Sequence, residues 1–400
     1  MKSQSEKTIF RQTGARRQPV MTLRILYDGW PLATQPNSPA TLHLQTLLAY
    51  LPPEIEAHVA LPAAPSEPLP IGVTAHLHAT NPTEAGRLNW EQRILPKISH
   101  LNQANLVHLV GGRPALIAGA NQLLTPTSQL FLGRPRRSPA NRQSFSSRMG
   151  DALGQGGQAR LQGLFWPEDL PAPESNYPLL RLPRLIHPAF LPAARSTDPA
   201  LLAGLDLPES YLLYHGPLEP FDVRCLLNAW SWAAPAIGEY YPLAIAGVDH
   251  SLKSTLLPVI RDARCESTVH LLPPISVASL AALYRGCSAL IHPTIDSPWE
   301  GAISLAMACH KPLVALATPW SDALVGPAGY LVAAGEDQST SRLLGAALIT
   351  VIVEENVAES LAEQAAQRTA AWSSGEQTGR YTRHLAEAYS SLVAQQAGRH

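Results

Sequence analysis

From Tyr211 onward the chain repeats one unit, a short apolar run followed by a longer stretch with helical spacing. This alternation restricts the fold more than any other feature. Apolar runs fall at residues 211–214, 243–246, 269–272, 289–292 and 313–316, and helical spacing at 223–232, 252–263, 277–285 and 301–309. Such runs are too short for helices and too continuously apolar for strands with one wet face. Strands of a mainly parallel sheet, covered on both sides, satisfy both conditions. The first half alternates less regularly. Residues 23–27, 57–61, 73–77 and 106–110 read as strands, while 39–50, opened by the Ser38-Pro39 cap, and 83–100, despite Pro96, read as helices. The expected fold class is α/β, with two Rossmann-like domains facing across a cleft.

Proline divides the chain. There are 37 in 400 residues, which argues against a coiled coil or a bundle of long helices. They crowd between Pro171 and Pro208, as at an interdomain crossing. The expected division is an N-terminal domain over 21–185, a linker over 186–208 and a C-terminal domain over 209–376. A last helix within 377–400 is expected to return to the first domain. Residues 1–20 read as a disordered tail, or as an upstream start ahead of Met21; no apolar segment follows them as in a secretory signal.

Composition excludes several classes. Hydrophobic residues make up 46% and charged residues 15%, too apolar a balance for wholesale disorder. The 30 basic and 31 acidic residues leave a net charge of -1, against nucleic acid as a partner. No run reaches the roughly 18 apolar residues of a membrane span. Cys225, Cys265, Cys287 and Cys309 lack metal or disulfide spacing and read as reduced, mostly buried thiols of a cytoplasmic protein. Arg134, Arg136, Arg137, Arg142 and Arg148 precede a Gly/Gln-rich run. That stretch reads either as a solvated loop or as an arm meeting an anionic acceptor or the inner face of a membrane. His76 and His78 share one side of a strand but have no third ligand assigned, and no metal site is expected.

Ordered motifs then accumulate. They include Tyr211-Leu212-Leu213-Tyr214-His215-Gly216-Pro217, Leu226-Leu227-Asn228-Ala229-Trp230 and Leu243-Ala244-Ile245-Ala246-Gly247. Leu280-Ala281-Ala282-Leu283-Tyr284-Arg285 and Ala289-Leu290-Ile291-His292-Pro293-Thr294 follow. Leu305-Ala306-Met307-Ala308-Cys309-His310-Lys311-Pro312 and Val325-Gly326-Pro327-Ala328-Gly329-Tyr330 complete the series. In this order and spacing the segment resembles the donor-binding half of glycosyltransferase family 4, the retaining group 1 enzymes of GT-B architecture. Ile186-His187-Pro188-Ala189-Phe190 resembles that family's pre-linker segment. Arg24-Ile25-Leu26-Tyr27 and Leu106-Val107-His108-Leu109 resemble its first strand and its histidine-bearing strand.

The resemblance implies transfer of a sugar from a nucleotide-sugar to an unknown sugar, lipid or protein acceptor, with retention and with no metal or cofactor. It also exposes departures. The family's paired glutamates fall on Ser297 and Leu305, with Glu300 three residues late. The two cations expected after Gly216 fall on Pro217 and in the Phe221-Asp222 region. The glycine before Lys311 is His310, and Trp30-Pro31-Leu32 replaces the glycine pair after the first strand. The surviving donor-side candidates are Gly216, Ser297, Glu300, His310, Ser321, Asp322 and the helix N-terminus at Gly301, whose free amides suit a phosphate. His108 is the candidate catalytic residue, at a strand end, with Ser38 and His43 on the acceptor side. A catalytically inactive GT-B scaffold is the competing expectation.

Overall fold

A computed structural model describes residues 22–117, 120–127, 145–294, 296–335 and 337–397. The tail at 1–20 and the arginines at 134, 136, 137 and 142 lie outside the described residues.

The first sheet contains β1 (Leu23–Asp28), β2 (Ile55–Leu61), β3 (Thr74–Leu77), β4 (Leu106–Val110), β5 (Asn121–Thr125), β6 (Leu161–Pro167) and β7 (Leu179–Leu182). The second contains β8 (Leu212–Tyr214), β9 (Leu243–Ile245), β10 (Val269–Leu271), β11 (Ala289–His292), β12 (Leu313–Ala317) and β13 (Tyr330–Ala333). Strand order is β3-β2-β1-β4-β5-β6-β7 and β10-β9-β8-β11-β12-β13. Every pairing is parallel. The strand order therefore reverses between β1 and β4 and again between β8 and β11, and ligands of open α/β sheets bind beyond the carboxyl ends of such strands.

The helices are α1 (Trp30–Thr34), α2 (Pro39–Ala49), α3 (Glu84–Asn89), α4 (Leu95–Leu101), α5 (Phe145–Gly157), α6 (Asp198–Leu202), α7 (Pro220–Ile237), α8 (His250–Asp262) and α9 (Val277–Gly286). They continue with α10 (Ala302–Ala308), α11 (Pro319–Val325), α12 (Asp337–Val353), α13 (Glu355–Thr369) and α14 (Gly375–Ala397). Proline mostly opens helices rather than breaking them. Pro31, Pro39, Pro199, Pro220 and Pro319 all sit in first turns, where the missing N–H has no intrahelical partner to lose. The single helix expected over 83–100 is instead α3 and α4 joined by a π-helical stretch, Trp90–Ile94.

Two differences from the sequence reading matter. Part of the stretch read as a loop or arm is helical, namely α5, with Arg148 exposed on it. Its glycines allow a close approach, because a Cβ at Gly154 would stand 3.1 Å from the Arg113 side chain. The strands β5, β6, β7 and β13 were also not anticipated.

The last helix does return to the first domain. Tyr381, Leu385, Tyr389 and Leu392 of α14 pack with Ile25, Tyr27, Leu106 and Phe165. The domains also touch directly. The Asn37 amide donates to the Ile275 carbonyl (2.9 Å) and its oxygen accepts the Ile275 N–H (3.0 Å). Glu67 accepts the Val277 N–H at the start of α9 (2.9 Å), and Arg184 donates to the Pro298 carbonyl (2.9 Å). Among the described residues no helix is long and apolar enough to cross a membrane.

Candidate active site at the domain junction

The carboxyl ends of β8 and β11 bring His215, Gly216, His292 and Thr294 to the junction. Gly216 serves close approach, since a Cβ there would stand 2.9 Å from His292 Nε2 and 3.0 Å from the Tyr214 hydroxyl. His215 Nε2–H donates to the Asn37 carbonyl across the junction (2.8 Å), and Nδ1 accepts the Tyr284 hydroxyl proton (2.8 Å). Burial lowers the His215 pKa and keeps the ring neutral, consistent with one donating and one accepting nitrogen. Among the described residues no cation stands in for the missing pair: Pro217 holds the first position, Phe221 is half-exposed, and Arg224 is exposed on α7.

Gly301 caps α10, but the helix terminus is occupied. Asp296 Oδ2 accepts the Ile303 N–H (2.7 Å) and Oδ1 accepts the Ser297 N–H (2.8 Å). A Cβ on Gly301 would stand 2.5 Å from that carboxylate. The expected phosphate site thus holds a carboxylate of the chain itself, which takes the Ile303 amide and repels a second anion. Ser297 is also committed, donating to the Trp299 carbonyl (2.7 Å) and accepting the Trp299 N–H (3.2 Å). Leu305, at the second glutamate's position, is fully buried in the core.

Three other candidates take structural roles. His108 is 0% exposed, and its nitrogens bond the Tyr389 hydroxyl (2.8 Å) and the Thr125 hydroxyl (2.7 Å). Burial, then the nearby His43, holds its pKa well below the usual histidine value. It lies beneath α14 with both ring nitrogens committed to hydroxyl groups, rather than at the open strand end expected of a catalytic group. Ser38 is the N-cap of α2, accepting the Thr41 N–H at 3.2 Å. Ser321 completes a capping box with Thr318 on α11 and donates to the Leu316 carbonyl (2.7 Å); Asp322 beside it is exposed.

His310 was expected near the donor rim and lies elsewhere. Helix α10 starts at the junction and runs away from it, so the residues after its last turn reach the opposite edge of the sheet. Lys311 accordingly acts electrostatically on Cys287, which precedes β11. The glycine replaced by His310 had a backbone role. His310 has φ +53 after the end of α10, a left-handed conformation that glycine adopts more easily.

Glu300 and His43 do come together. Glu300 Oε2 lies 2.7 Å from His43 Nδ1, with side chains only 3% and 1% exposed. Glu300 has φ +40, a left-handed conformation costing on the order of 1–3 kcal/mol at a non-glycine residue. Trp299 stacks near His43, with ring centroids 4.6 Å apart at 35°. His43 Nε2, Trp299 Nε1 and the Tyr381 hydroxyl are all buried without a hydrogen-bond partner. The Tyr381 hydroxyl also feels the Glu300 charge.

Sequence reading passed over Asp28, Asn37, Asp296, Trp299 and Tyr381. Asp28 carried the clearest signal, an acid closing an apolar strand at a switch point. Its Oδ1 accepts the Trp30 N–H (3.1 Å) and the Trp90 Nε1–H (2.9 Å), and burial raises its pKa to about 6. A cavity of about 20 Å³ lies among Thr294, Asp296, Ser297, Thr318, Trp320 and Ser321, whereas small-molecule sites typically span roughly 300–1,000 Å³.

Residues 209–348 match the family model described as "Glycosyl transferases group 1". No curated protein matches the chain by sequence. Among solved structures, sucrose-phosphate synthase from Thermosynechococcus elongatus superposes with TM-score 0.67 at 14% identity, over 93% of this chain and 100% of that one. WaaG, a glycosyltransferase involved in lipopolysaccharide biosynthesis, gives 0.66 at 13% identity, over 86% and 94%. Anabaena Alr3699/HepE in complex with UDP and glucose gives 0.62 at 16% identity, over 92% and 100%. At these identities the likeness is one of fold.

Proposed function

We propose, from the premise that this chain is a group 1 glycosyltransferase of the two-domain GT-B fold, that it moves a sugar from a nucleotide-sugar to an acceptor hydroxyl at the junction of its domains. The observation that carries this reading is the position of the family match. Residues 209–348 contain β8 to β13, whose reversal point at Gly216 and Thr294 faces the first domain. Retention of configuration, membership of family 4 and independence of a metal are parts of the same proposal, drawn from the ordered motif resemblance. Alr3699/HepE has been captured with UDP-glucose, which makes uridine the first base to try. The acceptor is a sugar, a lipid or a protein. Its class is the open half of the proposal.

Donor entry requires the junction to open. A cavity of about 20 Å³ does not admit a nucleotide, and Asp296 must leave the α10 terminus or the diphosphate must seat elsewhere. The same occupation favours a second reading, a GT-B scaffold that no longer transfers sugar. Calorimetric titration with uridine, guanosine and adenosine diphosphates and their sugars separates the two. Micromolar binding of one base supports a working donor site; absence of heat from a folded sample transfers the case to the scaffold.

A further inference from the structure

Charge is unevenly shared along this chain. Residues 92–160 hold nine of the 30 Lys and Arg but one of the 31 acids, a net +8 within a total of -1. Four of the nine lie outside the described residues; the others are placed by two helices. The crossovers from β3 to β4 and from β5 to β6 run in the same direction, so α4 and α5 cover the same side of the first sheet. The loop at 111–117 bridges them. Gln92 donates to the Pro114 carbonyl (3.3 Å) and accepts the Leu116 N–H (2.9 Å), and a Cβ on Gly156 of α5 would stand 3.0 Å from Leu116.

The outer positions of this side are consistent in character. Between residues 90 and 101 the exposed residues are Arg93, Lys97, His100 and Leu101. On α5, from Arg148 onward, they are Arg148, Met149, Ala152, Gln155 and Gly156. Each set follows one face of a helix, and neither holds an acid. The acids nearby are drawn to one internal cation. Glu84, Glu91 and Asp151 meet the Arg113 guanidinium at 3.9, 2.7 and 3.2 Å. Among the described residues Arg93, Lys97 and Arg148 are thereby left without an opposite charge. Apolar side chains share the face: Ile117 is 76% and Leu101 68% exposed, and Leu116 and Met149 are exposed beside them.

An exposed apolar set among polar residues marks an interaction surface, and the two kinds of side chain together narrow its partner. A nucleic acid would satisfy the cations through its phosphates but gains nothing from Ile117 or Met149. An anionic bilayer satisfies both, attracting cations to its headgroups and taking apolar side chains into the acyl boundary. We infer that the α4–α5 face of the first domain docks on an anionic lipid surface. The inference goes beyond the transfer reading and holds whether or not the chain transfers sugar.

Co-sedimentation of the full chain with vesicles tests it. Binding to an equimolar mixture of phosphatidylcholine and phosphatidylglycerol should exceed binding to phosphatidylcholine alone by about tenfold or more, and should weaken as salt is added. The double substitution Lys97→Gln and Arg148→Gln should lower it by about 10–30-fold. Lys253→Gln with Arg261→Gln removes two exposed cations from α8 of the other domain and should leave it unchanged. Ile117→Ser with Met149→Ser should weaken binding several-fold, and in Ile117→Trp a brominated phospholipid should quench fluorescence beyond the wild-type level. Absence of binding to the anionic vesicles by the folded protein overturns the proposal. An equal loss in the α8 variant does so too, since attraction would then be spread over the whole surface. Binding that the serine variant leaves intact, with a duplex oligonucleotide held more tightly than the vesicles, would assign the face to nucleic acid instead.

Discussion

Asp28 carries a carboxylate into the first domain at 1% exposure, held by two N–H donors. Among the described residues no cation hydrogen-bonds to it. Burial raises its pKa from 3.8 to about 6. A raised folded-state pKa means that the folded protein holds the proton more tightly than the unfolded chain. The associated stability is therefore complete below pH 3.8 and is lost as the pH rises through about 6. A shift of about two units corresponds to roughly 3 kcal/mol at neutral pH. Asp28→Asn keeps an oxygen for Trp30 and Trp90 and removes the buried charge. It should stabilise the fold by about 1–3 kcal/mol at pH 7.5, with the gain vanishing near pH 4. Urea unfolding at both pH values reads this directly; an equal effect at the two would mean that the carboxyl does not titrate in that window. At this scale the sequence was an uneven guide. It brought out Glu300 and His43 as polar groups near the cleft. It could not show that His108, at a position suited to catalysis, lies beneath a helix about 280 residues further along the chain.

Elements were legible wherever one local period decided them. The five apolar runs from Tyr211 onward are all strands, because a continuous apolar run between helices has only one way to be buried on both faces. The misses have physical causes. The glycines of α5 read as loop residues because glycine is a poor helix former. Here they let the helix lie against Arg113, which holds Glu91 (2.7 Å) and Asp151 (3.2 Å). His310 was misplaced because a spacing in sequence does not say which end of α10 meets the cleft. The α5 contact makes its own prediction. A side chain at Gly150 would collide with the Arg113 guanidinium and push it away from Glu91, whose side chain is 1% exposed. Gly150→Val should therefore destabilise by roughly 2–3 kcal/mol, outweighing the gain of less than about 1 kcal/mol in helix propensity. Chemical denaturation measures it, and an unchanged midpoint would show that α5 is held by other contacts.

At the scale of the whole molecule, the two domains hold each other closed through contacts beside the carboxyl ends of the second sheet's strands. Asn37 bonds Ile275 through both atoms of its amide, and Glu67 caps α9 at Val277. The cavity beside Asp296 is about 20 Å³, so on the proposed reading a donor binds only the fraction of molecules in which the junction is open. When the competent state is a minor fraction, the apparent dissociation constant is the intrinsic one divided by that fraction. Weakening the clasp should therefore tighten donor binding, the opposite of what loss of a direct contact would do. The double substitution Asn37→Ala and Glu67→Ala should increase the radius of gyration seen by small-angle scattering. It should also lower the apparent Kd for the bound nucleotide several-fold, up to the limit at which the open form predominates. Weaker binding in the opened variant would show that the closed junction is itself the donor-binding state, with Asn37 and Glu67 among its supports. Tighter binding would make opening of the junction the step that controls access to the proposed donor site.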